Sequence, residues 1–138
     1  MVHALHEAWR VLAPGGILID LRPYNVDAPL EVSSKGMVES AGLVDTSMDS
    51  ALDEAADKAV CTLLREGMIR ELRSEYFDQS YYWTSIKGML ADIDERWKDD
   101  VVIPQVVLRR ATLLYKKQPG RARLRLRFHT KLFVYEKL

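Results

Sequence analysis

The sequence has one cysteine, equal numbers of acidic and basic residues, and no long apolar run. Cys61 alone cannot form an internal disulfide, and its place on an apolar helical stripe indicates a buried, unreactive thiol. Because 20 Lys and Arg balance 20 Asp and Glu, no net field attracts nucleic acid or anionic lipid. No segment approaches the roughly 20 apolar residues that a membrane-spanning helix needs, and no signal-peptide pattern opens the chain. We therefore expect a cytoplasmic protein with no nucleic-acid or membrane partner.

Two kinds of ligand-binding pattern are also missing. The seven glycines never form a G-x-G pattern, which in nucleotide-binding folds follows a strand and approaches the cofactor. The adjacent pair Gly15 and Gly16 comes before an apolar run, so it suits a helix-to-strand turn and not a cofactor loop. His3 and His6 have no cysteine or third histidine near them. We therefore expect neither a cofactor-binding loop nor a metal site.

The residues that are present indicate an α/β protein. At 138 residues, with 48% hydrophobic and 29% charged residues, the chain suits a single domain over 1–138 with no internal boundary. Apolar spacing predicts helices over about 2–12, 48–66, 85–97 and 104–117. Apolar or alternating runs predict strands over about 17–22, 68–78 and 121–136, and a small hairpin turning at Lys35-Gly36. The order predicts a small mixed sheet, with the first strand parallel and central and the last strand antiparallel beside one or both others.

The last predicted strand alternates apolar and basic side chains more regularly than any other segment. Its basic positions are Arg121, Arg123, Arg125, Arg127, His129 and Lys131. The preceding strand offers Glu71 and Glu75 as cross-strand partners, so we interpret the basic row as a solvated ion-pair face. This interpretation is preferred to a surface that follows a phosphate backbone.

The segment LHEAWRVLAPGGILIDLRP, residues 5–23, resembles a region of class I S-adenosylmethionine-dependent methyltransferases. There a helix ends in RVL-x-PGG and the next strand begins, and Arg10 to Leu12 and Pro14 to Asp20 match as they stand. In that family the helix is the fourth and the strand is the fifth of seven. A helix, strand six, inserted helices and a strand seven, antiparallel between strands five and six, then follow. The resemblance implies a partial Rossmann-like methyltransferase fold that corresponds to the carboxyl-terminal half.

The resemblance also implies which functional parts are absent. The family holds its cofactor with a glycine-rich loop after strand one, an acidic residue at the end of strand two, and residues near the end of strand four. All of these precede the matching region. We therefore expect a truncated or split methyltransferase-like protein, inactive alone, that uses S-adenosylmethionine only if the missing half is supplied. No catalytic or cofactor-binding residue is assigned.

Four residues are candidates for binding an acceptor substrate. Open α/β sheets bind ligands outside the carboxyl ends of parallel strands, where Arg22 and Tyr24 are expected. In proteins like this family, the loops after strands five and six border the acceptor pocket, which adds Tyr82 and Trp83. The alternative is that the aromatic cluster over 76–83 only packs the inserted helices onto the sheet.

The edge of the first strand predicts a partner and leaves other functions open. A sheet that starts at strand 17–22 leaves one edge of that strand unpaired, and bare apolar edges recruit other chains. We expect a homodimer, or a partner chain that covers this edge, with helix 2–12 near the contact. The alternatives to half of an enzyme are a non-catalytic oligomerisation or interaction module and a small-molecule binding protein on a degenerate methyltransferase fold.

Overall fold

The structure is a computed structural model that describes residues 2–23, 27–47, 50–118 and 120–138. Four helices and five strands lie along this part of the chain. The helices are α1 (Val2–Val11), α2 (Ser50–Arg65), α3 (Ile86–Arg96) and α4 (Gln105–Lys116). The strands are β1 (Ile17–Pro23), β2 (Ala28–Ser34), β3 (Met37–Val44), β4 (Ile69–Trp83) and β5 (Arg123–Lys137).

Most of the expected elements are confirmed. All four helices form within two residues of their expected ends, and the hairpin of β2 and β3 turns at Lys35 and Gly36, which both have positive φ. Such a two-residue turn matches the twist of the paired strands. β4 differs from the prediction, because residues 79–83, expected in a loop, continue the strand to Trp83. β3 continues through Gly42.

The sheet is antiparallel, so the expectation of a mixed sheet with a parallel first strand is wrong. β1 pairs with β5 from Ile17 opposite Glu136 to Pro23 opposite Thr130. β5 also pairs antiparallel with β2, and β2 with β3. The physical reason is that β1 finds its neighbour in the last strand, which runs in the opposite direction. The expected antiparallel position of the last strand is confirmed, because β5 pairs with both β1 and β4.

The chain forms two compact units. Unit 1 contains Met1–Tyr24, Asp49–Phe77 and Thr130–Leu138, and unit 2 contains Asn25–Met48 and Asp78–His129. β4 and β5 each contribute residues to both units. The expectation of a single domain stays a prediction. No helix in the described ranges is both long and apolar enough to cross a bilayer.

Unit 1 packs α1 and α2 against the second half of β5. Val60, Leu63, Ile69 and Tyr135 are buried, and Trp9 packs against them. Lys137 fastens the end of α1, because its ammonium donates to the carbonyl oxygens of Trp9 at 2.9 Å and Leu12 at 2.6 Å. A cation at this end of a helix satisfies carbonyl groups that have no partner within the helix.

Unit 2 packs the β2–β3 hairpin, α3, α4 and the first half of β5 around a larger core. Leu30, Val44, Met89, Leu124 and Leu126 are among its fully buried side chains. Leu124 and Leu126 on β5, and Ala122 just before it, face this core. In unit 1 the buried residues of the same strand include the odd-numbered Lys131 and Tyr135.

Candidate functional site

Unit 1 contains a cleft of about 330 Å³ between α2 and the sheet. The cleft is lined partly by an ion-pair network and partly by aromatic rings and apolar side chains. The ionic lining consists of Asp20, Arg22, Asp57, Glu71 and Lys131. The remaining lining consists of Val60, Cys61, Leu64, Tyr76, Phe133 and Tyr135.

Arg22 is the centre of the ionic network. Its guanidinium donates two hydrogen bonds of 2.6 Å to the carboxylate of Asp20 and one of 2.6 Å to Asp57. It also donates to the backbone carbonyl of Asp53 at 3.1 Å. Arg22 and Lys131 lie opposite each other on β1 and β5, and the Lys131 ammonium donates to Asp57 at 2.9 Å. Both cations are therefore neutralised by carboxylates of the protein itself.

The network changes the proton affinity of its members. Hydrogen bonding to Asp20 raises the pKa of Arg22 further above its ordinary value. Burial acts to raise the pKa of Asp57, but hydrogen bonds from Lys131 and Arg22 outweigh it, and the pKa is lowered. Burial raises the pKa of the Tyr135 hydroxyl, and the charges of Asp20 and Glu71 add to this effect. At neutral pH Arg22 and Asp57 are therefore charged, and Tyr135 keeps its proton.

Two residues of β4, Glu71 and Tyr76, contribute to the lining of the cleft. The ring of Tyr76 meets Phe133 edge-on at 6.0 Å, and Phe133 stacks on Tyr135 at 6.1 Å.

Three of the four predicted substrate residues are described, and they divide between the two units. Arg22 lines the cleft of unit 1, whereas Tyr82 and Trp83 belong to unit 2. Tyr24 lies outside the described residues. The indole of Trp83 donates to Asp92 at 2.9 Å and packs beside Tyr81 and Trp97, which is the arrangement expected from the packing alternative. A substrate role for these residues stays a prediction.

Four basic residues of β5 are paired: Arg125, Arg127, His129 and Lys131. Their partners are not the residues that the sequence suggested. Glu31, which is buried on β2, accepts from Arg125 at 2.7 Å and from Arg127 at 3.3 Å. Asp78 accepts from Arg127 at 2.8 Å and pairs with His129. The expected partners Glu71 and Glu75 make neither contact, because β2 takes the position next to this half of β5.

Cys61 is exposed, so the expected burial of its thiol is wrong. The apolar stripe that α2 packs against the core is narrower than expected. Val60 and Leu63 belong to this stripe, and Cys61 lies outside it. Sequence analysis also missed Asp53, Asp57, Lys131 and Tyr135. One signal was available, because Asp53 and Asp57 are four residues apart and therefore share a face of α2.

Within the described ranges, no group of three or more His, Cys, Asp or Glu side chains is arranged to hold a metal ion. Comparison with models of protein families, with curated proteins and with solved structures finds no match for this chain.

Proposed function

We propose that this chain is the carboxyl-terminal half of a class I methyltransferase-like fold and acts with a second segment that supplies the S-adenosylmethionine site. The observation that carries the proposal is the order of elements that follows the RVLAPGG turn. In this reading β1, β4 and β5 correspond to strands five, six and seven. The second segment belongs either to the same polypeptide or to a partner.

The turn after α1 supports the proposal by its mechanical role. Gly15 has a φ of 74°, and its N–H donates to the carbonyl of Lys137 at 2.9 Å. The N–H of Lys137 in turn donates to Gly16 at 2.8 Å. The Pro14-Gly15-Gly16 turn therefore holds α1 and β1 against the last strand.

The pairing of the last strand is a second supporting observation. β5 lies between β1 and β4, which is the place that strand seven takes between strands five and six in the family. The hairpin of β2 and β3 departs from that simple order, because β2 also pairs with β5. We treat the hairpin as an insertion after the strand that corresponds to strand five.

The exposed apolar face of β1 supports the proposal of a second segment. Ile17, Ile19 and Leu21 are 47%, 62% and 57% exposed, although they alternate regularly along the strand. Their cross-strand neighbours on β5 include Leu132 and Val134, so the exposed apolar residues form a continuous patch. In the described part of the chain, β1 pairs with β5 alone. Monomers rarely leave such an apolar face and a free strand edge uncovered.

The cofactor prediction is tested by calorimetric titration of the 138-residue chain with S-adenosylmethionine. We expect no heat of binding up to about 1 mM, the limit that corresponds to roughly 4 kcal/mol of binding free energy. Micromolar binding would show that the cofactor site is present and would overturn the proposal. The coding sequence before the Met1 codon gives a second test, because an in-frame strand followed by a glycine-rich loop is expected if the segment is on the same polypeptide. An unrelated gene there would favour a partner chain or a stand-alone interaction module.

The exposed patch predicts that the isolated chain associates. At low micromolar concentration, light scattering should give about twice the 15.8 kDa of one chain. Replacing Ile19 with Lys should return the chain to a monomer, because a desolvated ammonium would oppose apolar contact. The control is Val106→Lys, which changes an exposed apolar residue of α4 and should leave the mass unchanged. A wild-type monomer would count against both the homodimer and the interaction module.

A further inference from the structure

Tyr135 places an unused hydroxyl group in the cleft of unit 1. The residue is 3% exposed and lines the cleft. Its ring stacks on Phe133, but its hydroxyl makes no hydrogen bond with any residue that the structure describes. The hydroxyl oxygen is not one of the fully enclosed polar atoms that lack a partner, so it opens onto the cleft and can accept a hydrogen bond from a ligand there.

The charged residues around the hydroxyl determine which charge is favoured for a ligand in the cleft. Arg22 and Lys131 are engaged by Asp20 and Asp57, so neither is available as an anion receptor. Glu71 lines the same cleft and has no ion pair or side-chain hydrogen bond with a described residue. An unpaired carboxylate next to two neutralised cations favours a positively charged group.

The aromatic and aliphatic lining of the cleft determines which uncharged part of a ligand would fit. Tyr76 and Phe133 present aromatic rings, and Val60 and Leu64 of α2 present aliphatic side chains. Aromatic faces attract cations and also bury apolar groups. The volume of about 330 Å³ is at the small end of ligand pockets, which suits a molecule of about ten non-hydrogen atoms.

We propose that this cleft binds a small protonated amine that carries an apolar or aromatic tail. The ammonium donates to the Glu71 carboxylate and to the Tyr135 hydroxyl oxygen, and the tail lies along Tyr76 and the aliphatic side chains of α2. This site is assigned from unit 1 alone. It does not depend on the methyltransferase proposal, and binding involves no covalent step.

Three probes of nearly equal shape test the charge preference of the wild-type chain. The probes are 2-phenylethylamine, neutral 2-phenylethanol and anionic 3-phenylpropionate, titrated at pH 7 with detection by protein NMR. We expect the amine to bind about tenfold more tightly than either other probe, the factor produced by one charge-assisted hydrogen bond. Equal binding of all three probes, tighter binding of the carboxylate, or no binding of the amine at 10 mM would each overturn the proposal.

Two conservative variants test the assigned groups. Glu71→Gln removes the charge of an exposed residue, and Tyr135→Phe removes only the hydroxyl, so both should keep the thermal unfolding midpoint close to that of the wild type. Each should weaken amine binding by about five- to tenfold while leaving 2-phenylethanol binding unchanged. The matched control is Glu66→Gln, which neutralises an exposed carboxylate that does not line the cleft and should have no effect. Unchanged amine affinity in both test variants would contradict the assignment.

Discussion

Replacing Arg22 with Met is expected to lower the free energy of unfolding by about 3 kcal/mol at pH 7, because it leaves partly buried carboxylates without their cation. The Arg22 side chain is 18% exposed, and those of Asp20 and Asp53 are 16% and 21% exposed. Without the guanidinium, these groups and Asp57 repel one another, and Lys131 still pairs with Asp57. Urea denaturation of both chains measures the difference.

The same substitution at Arg10 provides the control for Arg22. Arg10 pairs with Glu7 on the surface of α1, where the two side chains are 66% and 48% exposed. Exposed pairs contribute little, so Arg10→Met should cost less than about 1 kcal/mol. An equal loss in both variants would show that the network in the cleft adds nothing beyond an ordinary surface ion pair.

The pH dependence distinguishes the electrostatic cause from lost packing. In the wild type the lowered pKa of Asp57 stabilises the fold above the unfolded value near 4, and this contribution disappears as the pH falls through the folded pKa. Arg22→Met removes one source of the lowering. The difference between the chains should therefore shrink as the pH falls below about 4. A difference that stays constant down to pH 3 would indicate packing instead.

Replacing Gly42 with Ala should destabilise unit 2 by about 3 kcal/mol, through backbone strain and overpacking together. Gly42 has a φ of 140°, and a Cβ atom there would lie 2.7 Å from a methyl group of Val107 on α4. The register explains the conformation. Leu30 pairs with Gly42 and Glu31 pairs with Ser40, so Ala41 is an extra residue in β3. A bulge of this kind bends the strand and favours glycine beside it.

Two further variants separate the causes at Gly42. Gly36 also has positive φ, but nothing lies within 4 Å of its added Cβ, so Gly36→Ala should cost only about 1 kcal/mol. Adding Val107→Ala to Gly42→Ala removes the close methyl group and should make the combined loss smaller than the sum of the single losses. Additive losses, or a Gly42→Ala chain as stable as the wild type, would contradict the close approach of α4.

Local patterns predicted the elements well because their causes are local. The apolar spacing of α2 and the Lys35-Gly36 turn are properties of neighbouring residues, and both are confirmed. The prediction that the strand from Ile17 to Leu21 is central is wrong, because apolar content alone cannot show whether a strand is covered on both sides. Three of its side chains are largely exposed, and its neighbour is the last strand of the chain.

The candidate site was only partly predictable because its groups come from distant segments. Arg22 was selected for its place at the end of a strand, and it does line the cleft. Its partners Asp53 and Asp57 are more than 30 residues away, and Lys131 is farther still. The place of Tyr135 in the cleft could not be recognised from sequence, since it is set by the pairing of β5 with strands from distant parts of the chain.

The closure of α1 by Lys137 sets an order of events during synthesis. The carbonyl groups of Trp9 and Leu12 can bind Lys137 only after a segment more than 100 residues later in the sequence has been synthesised. The same holds for the hydrogen bonds between β1 and β5. On the ribosome, α1 and β1 therefore remain without their strand partner until residues 130–138 have emerged, while the segments of unit 2 can already assemble. A nascent chain with its apolar first strand unprotected for this interval is the species on which chaperones are expected to act.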